Sequence, residues 1–212
     1  MYHKRLKLMV FMMSVLLLTA SPALAQEAGP FRVPKPGPLS VELILGWAEN
    51  VGSEGLFEGE YFAAEGLPTR FQGSSVYGGS VMYRFPSGFA LELSVNRLAM
   101  DLVDDYGGNY GTLNMTHVTL LCKFQGMPKY GTGLTWHADI GDGTSFNNID
   151  WEIDTINFTG VLLELGAGLD YFFTKNISAN LDIRFSIMWG DILLDTYNFK
   201  VLIGIRFWGF SN

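Results

Sequence analysis

Two stretches in the last third of the chain alternate apolar and polar residues one by one, and few folds are open to a polypeptide that does this over more than ten residues. In VLLELGAGLDYFFTK (161–175), Leu163, Leu165, Ala167, Leu169, Tyr171 and Phe173 share one parity, with Glu164, Gly166, Gly168, Asp170 and Phe172 on the other. In ISANLDIRFSIMWGD (177–191), Ile177, Ala179, Leu181, Ile183, Phe185, Ile187 and Trp189 oppose Ser178, Asn180, Asp182, Arg184 and Ser186. A helix scatters such residues around its circumference, whereas a pleated strand sends them to two faces. Only Thr174, Lys175 and Asn176 separate the runs, which makes the pair a hairpin. Strands of soluble sandwiches are usually about five or six residues long. These are about twice that length, with an unbroken apolar face that carries aromatics near both ends, the marks of strands that cross an outer membrane with their polar face inside a barrel. The alternative is a secreted sandwich that buries the apolar face between two sheets.

The start of the chain sets the compartment. Lys4, Arg5 and Lys7 precede the apolar run LMVFMMSVLLLTA, and Ala23-Leu24-Ala25 supplies a small-x-small cleavage site, so residues 1–25 are expected to form a secretory signal peptide cut before Gln26. No other stretch approaches about twenty apolar residues without a charge, which leaves strands to cross a bilayer. Because residue 26 is glutamine and not cysteine, no lipid anchor is expected at the new N-terminus. Residues 26–38 (QEAGPFRVPKPGP) are rich in proline and glycine and read as a flexible lead, with the barrel domain occupying 39–212. The formal net charge of −7 becomes more acidic once the basic residues of the signal leave, which argues against a nucleic-acid partner. Cys122 is the single cysteine, so there is no internal disulfide, and its parity places it on the apolar face.

The same parity runs through the rest of the chain. Val41, Leu43, Leu45 and Trp47 face lipid on the first strand around inward Glu42, Ile44, Gly46 and Ala48, and the second carries Tyr77, Val81, Tyr83 and Phe85 outward with Ser80, Met82 and Arg84 inward. Pro86-Ser87-Gly88 turns into a third strand with Phe89, Leu91, Leu93 and Val95 outward, where Arg97 breaks the pattern as a headgroup contact or a bulge. A fourth has Val118, Leu120, Cys122 and Phe124 outward around His117, Thr119 and Lys123, and a fifth has Leu134, Trp136, Ala138 and Ile140 around Thr135, His137 and Asp139. NFKVLIGIRFWGF (198–210) follows the hairpin as the last strand. Loops are expected from about 50 to 74, over DDYGGNYG, from about 144 to 160 and from 191 to 197, in alternation with short turns. The predicted fold is all-β: an eight-stranded antiparallel transmembrane β-barrel with short periplasmic turns and long extracellular loops.

With the strands placed, the sequence from THVTLLCKF through YGTGLTWHADIG to LELGAGLDYFFTKNISANLDIRFS and VLIGIRF resembles the OmpW family of small outer-membrane barrels. GAGLDYFFTKNISANLDIRF (166–185) is its most specific part, and the resemblance covers roughly the second half of the mature chain. It implies eight strands and a narrow interior associated with passage of small hydrophobic molecules. Members usually stop on the aromatic of the closing strand, whereas Phe207 here is followed by Trp208 to Asn212, so either Phe207 or Phe210 serves as the signal to the barrel-assembly machinery.

Sorted by height, the inward residues form two tiers. Glu42, Arg84, Glu92, Lys123, Asp170, Asp182, Arg184 and Arg206 lie toward the periplasmic ends. Eight strands enclose little more than side chains, so these charges are expected to pair across the lumen and plug it. Ile44, Ala48, Val76, Leu98, Met100, Met115, Leu162 and Met188 lie toward the extracellular ends as a hydrophobic mouth over that floor. The expected function is entry of a small hydrophobic solute that leaves sideways into the membrane; the plainer alternative is that these residues merely pack one another under the loops. A non-conducting structural or adhesive barrel and a lipid-modifying enzyme are the competing classes. The enzyme needs serine, histidine and acid on the outer face near the headgroups, and no histidine has outward parity, so no catalytic residue is assigned. His117 and His137 face inward on neighbouring strands without lying opposite each other, and neither metal nor cofactor is expected. Acidic loops, including FNNIDWEIDTINF (146–158), read as solvated charge, with divalent ions bridging lipopolysaccharide as the alternative. The expected surroundings are outer-membrane lipid and lipopolysaccharide.

Overall fold

The computed structural model describes residues 37–53, 69–104, 108–126, 133–151, 155–190 and 196–209. The expected signal peptide and all of the expected lead except Gly37 and Pro38 lie outside the described residues. The strand segments are β1 (Leu39–Ser53), β2 (Thr69–Gln72), β3 (Ser74–Arg84), β4 (Phe89–Asp104), β5 (Asn109–Gln125), β6 (Leu134–Trp151), β7 (Thr155–Phe172), β8 (Ile177–Gly190) and β9 (Thr196–Trp208). β2 and β3 are two pieces of one barrel strand, both antiparallel to β4. Between the pairs Gln72↔Asp101 and Val76↔Leu98 the chain takes four steps on one side and three on the other, a bulge beside Gly73. Sequential neighbours pair around the ring, and β1 with β9 and β4 with β5 complete it, so eight antiparallel strands close with no free edge. No helix among the described residues is long and apolar enough to cross a membrane.

Alternation along each strand becomes an apolar outside and a polar inside. Leu43, Leu45, Val161 and Ile203 stand outward with 60–67% of their surface exposed, while Glu42, Glu164 and Lys200 on the opposite parity are buried. That inverts the pattern of a soluble barrel and suits lipid outside and polar side chains within. Phe185 has outward parity yet is only 5% exposed, and its ring stacks on Tyr197 with centroids 6.3 Å apart. At the periplasmic end the turns over 85–88 and 173–176 are tight. Gly88 takes a left-handed φ of 86° that suits glycine, donating to the Phe85 carbonyl, and Thr174 Oγ1 accepts from the amides of Asn176 and Ile177.

The extracellular ends differ from the sequence expectation. β1 runs on to Ser53, β4 reaches Asp104 and β5 begins at Asn109, so Asp104, Asn109, Tyr110 and Gly111 of DDYGGNYG are strand rather than loop, while residues 105–107 lie outside the described residues. β6 and β7 stay in register up to Asp150↔Thr155, which turns the expected third loop from 144 to 160 into a long hairpin. The physical reason lies in the outward face alone. Inside, Ser145, Asn147 and Ile149 remain buried, but outside Ile140 gives way to Asp142, Thr144, Asn148 and Asp150, with Phe146 the one apolar residue among them, as a strand rising from lipid into water requires. Likewise β9 begins at Thr196, ahead of the expected start. Arg97 pairs in register with Tyr77 and Thr116, so it is an exposed outward side chain and not a bulge; the register shift in β4 falls between Leu102 and Val103.

Candidate functional site in the barrel lumen

Inward side chains stack in tiers, starting at the periplasmic end with an aromatic plug. Trp208 of β9 is buried with Met82, Ala90 and Phe172, its ring 5.5 Å from that of Phe172 and its Nε1 donating to Ser178 Oγ at 2.9 Å. The Arg84 guanidinium lies 4.6 Å from the Trp208 ring, and that of Arg206 lies 5.7 Å from it on β9's next inward position.

Above the plug is a charge network. Arg206 donates to Asp170 at 2.9 Å, Glu42 at 2.5 Å and Glu92 at 3.2 Å, joining β1, β4 and β7 to β9. Arg184 donates to Asp182 at 2.7 Å and Glu92 at 3.1 Å, and Lys123 Nζ lies 3.0 Å from Glu92. His137 lies between two carboxylates, with Nδ1 2.9 Å from Asp170 and Nε2 against Asp182, so each ring nitrogen faces a carboxylate oxygen. Glycine makes the space for these groups. A methyl group at Gly168 would strike His137 and Asp182, and one at Gly204 would strike Glu42 and Asn180, so the inward glycines of β7 and β9 let charged side chains fold against the wall. A smaller knot stands higher, where Lys200 donates to Glu164 and lies 2.9 Å from His117 Nδ1, and Thr119 donates to Glu164 at 3.1 Å.

The extracellular tier is apolar. Ile44, Ala48, Val76, Leu98, Met100, Met115, Leu162 and Met188 belong to one cluster, each at most 2% exposed, together with Leu102, Leu113, Ile149, Phe158 and Leu202. The residues expected at the mouth therefore all join one buried apolar cluster at this end of the lumen. Of the expected charge residues, seven join one network, and Arg84 stands a tier lower against Trp208. The sequence reading missed Asp139, Glu164, Lys200 and both histidines as members of the charged tiers, and Trp208 as their base. Parity already sends these residues inward; what it lacks is the stagger between strands, which decides who meets whom across the lumen.

His137, Asp139 and Asp182 offer ligand atoms within 4.8 Å of one another, the geometry of a possible cation site. The same carboxylates already face fixed cations: Lys123 lies 3.6 Å from Asp139 and 3.7 Å from Asp182, and Arg184 lies 3.7 Å and 2.7 Å from them. A metal ion placed there would meet two positive side chains among its own ligands, so the donor set suits an internal salt-bridge network and not a metal. Both described histidines point into the lumen, away from the lipid headgroups where a lipid hydrolase would need one.

Comparisons with known proteins agree with this architecture. A family model described as the outer membrane protein beta-barrel domain matches residues 13–207. No curated protein sequence matches the chain. Among solved structures, Neisserial surface protein A (NspA) is similar with a TM-score of 0.58 at 10% identity, covering 82% of this chain and 99% of that one. The outer membrane protein OprG from Pseudomonas aeruginosa is similar with a TM-score of 0.51 at 12% identity, covering 84% of this chain and 98% of that one. Likeness at such identity is a likeness of fold, and it is the same fold that the closed ring, apolar exterior and plugged polar lumen define. The chain therefore belongs to the outer membrane protein β-barrel domain family and is a protein of the outer membrane.

Proposed function

We propose that the barrel receives small hydrophobic molecules at its extracellular end and passes them sideways into the membrane. The observation that carries this reading is the apolar tier itself. A lumen filled only for stability has no need to change from charged to apolar at the end that meets the outside. Three of its members, Met100, Met115 and Met188, are unbranched and adaptable, so the tier can repack around a guest. Below it, the charge network and the Trp208 plug oppose passage straight through, which leaves the wall as the exit. A second reading, a non-conducting adhesive barrel, is favoured by the β6–β7 hairpin, whose polar outward residues Asn148, Asp150 and Asn157 extend the sheet beyond the apolar band.

Uptake of radiolabelled decane by cells with a lipopolysaccharide outer leaflet tests the first reading. Expression of the protein is expected to raise uptake, and Leu98→Asp or Met188→Asp is expected to abolish the gain while the barrel still folds, as judged by heat-modifiable migration on a gel. Uptake that is unchanged in both variants removes the pocket and leaves the adhesive reading.

A further inference from the structure

Between the apolar tier and the charged floor lies a layer of neutral polar side chains. On β4 the inward residue below Leu98 is Asn96, on β5 the one below Met115 is His117, and on β8 the one below Met188 is Ser186. Asn96 pairs in register with His117, and Ser186 pairs with Asn198 of β9. All four are fully buried, and each keeps one polar atom without a protein partner: Asn96 Oδ1, His117 Nε2, Ser186 Oγ and Asn198 Nδ2. Where a residue has a second polar atom, that atom is engaged. Asn96 Nδ2 donates to Ser94 at 2.9 Å, His117 Nδ1 lies 2.9 Å from Lys200 Nζ, and Asn198 Oδ1 accepts from Asn50 at 3.5 Å. The His117–Lys200 contact spans the lumen from β5 to β9 and so brings the two pairs of strands together across it.

Buried polar atoms without partners are costly, and four in one layer directly beneath an apolar cluster call for a function. Their chemistry is specific. Asn198 Nδ2 supplies a donor, as does His117 Nε2, because His117 Nδ1 accepts from the Lys200 ammonium; Asn96 supplies an acceptor, and the Ser186 hydroxyl serves as either. The nearby charges, Lys200 and Glu164, already pair with each other. A carboxylate head arriving here would face Glu164, and an ammonium head would face Lys200. A hydroxyl, donor and acceptor on one atom, faces neither conflict.

Resting on the pocket reading above, we infer that the solute is a neutral aliphatic alcohol, its chain held among Leu98, Met115, Leu162 and Met188 and its hydroxyl received by Asn96, His117, Ser186 and Asn198. The test compares uptake of radiolabelled decanol and decane by cells expressing the full chain, each corrected for cells that lack it. The protein-dependent gain is expected to favour decanol by about fivefold, the effect of one or two hydrogen bonds, and Ser186→Ala with Asn198→Ala is expected to bring the decanol-to-decane ratio back toward one. Equal gains for the two compounds in the unmodified protein overturn the alcohol inference and leave the hydrophobic pocket standing. A ratio that stays high in the folded double variant overturns the assignment of the head to this layer. No gain for either compound overturns the pocket and the inference together. Should the double variant fail to fold, the comparison in the unmodified protein still decides.

Discussion

Arg206 shows most directly how single residues hold this lumen together. Its guanidinium meets Asp170, Glu42 and Glu92 and faces the Trp208 ring, with no exposed surface. Replacing one partner of a buried ion pair leaves the others as uncompensated charges, which typically costs about 3–5 kcal/mol. Arg206→Met is therefore expected to lower unfolding stability by that amount in a urea titration of the protein in phospholipid vesicles, whereas Lys175→Met, at the exposed periplasmic turn, should change it by less than about 0.5 kcal/mol. A drop of similar size in both would mean that the network contributes nothing specific. Gly168 gives the steric counterpart. Gly168→Ala places a methyl group against Asp182, His137 and the Leu181 carbonyl, and overpacking of this kind is expected to cost about 1–3 kcal/mol in the same titration. At this scale the sequence was partly legible. Alternation sent Asp170, Asp182, Arg184 and Glu42 inward without any knowledge of partners, but the pairing of Arg206 with Glu42 links positions far apart in the chain and depends on closure of β1 on β9.

Strands show a boundary that no single residue marks. On β6 the outward face changes from Ile140 to Asp142, on β4 from Val95 to Arg97, on β7 from Val161 to Thr159 and on β1 from Trp47 to Glu49. These four changes encircle much of the barrel and define where lipid ends. A cation placed on the lipid face near the bilayer midplane typically costs about 2–4 kcal/mol and close to nothing near the interface. Ile203→Arg, in the middle of the apolar face of β9, is expected to lose that amount, and Phe146→Arg, above Asp142 on β6, to lose at most about 1 kcal/mol, in refolding titrations from urea into phospholipid vesicles. An equal loss at both sites would put the boundary of the membrane above Phe146. The same boundary explains why the extracellular ends were the least legible part of the sequence. Within the bilayer, grease on alternate residues announces a strand; beyond it both faces of a strand can be polar, and the β6–β7 extension then carries the asparagine and aspartate content of a loop while its backbone remains fully paired.

Taken whole, the molecule is an eight-stranded cylinder whose interior is filled from bottom to top by an aromatic plug, a charge network, a neutral polar layer and an apolar cluster. A ring of this size has just enough interior for its own side chains. Arg184, Arg206, Lys123 and Lys200 are among the largest fully buried side chains, and they occupy the middle of the path that an ion would take. Two seals therefore lie in series, the network and the Trp208 plug. The unmodified protein in a planar lipid bilayer is expected to show no steady conductance steps in salt. The combined Phe172→Ala and Trp208→Ala variant removes the plug and leaves Arg206, Arg184 and Lys123 held by Glu92, Asp170 and Asp182, so it too is expected to stay closed. Steps that appear only in the double variant would assign the seal to the aromatic floor rather than to the charges. Steady steps in the unmodified protein would show a continuous water path through the lumen, and a solute that enters at the apolar tier would then have no need to leave through the wall.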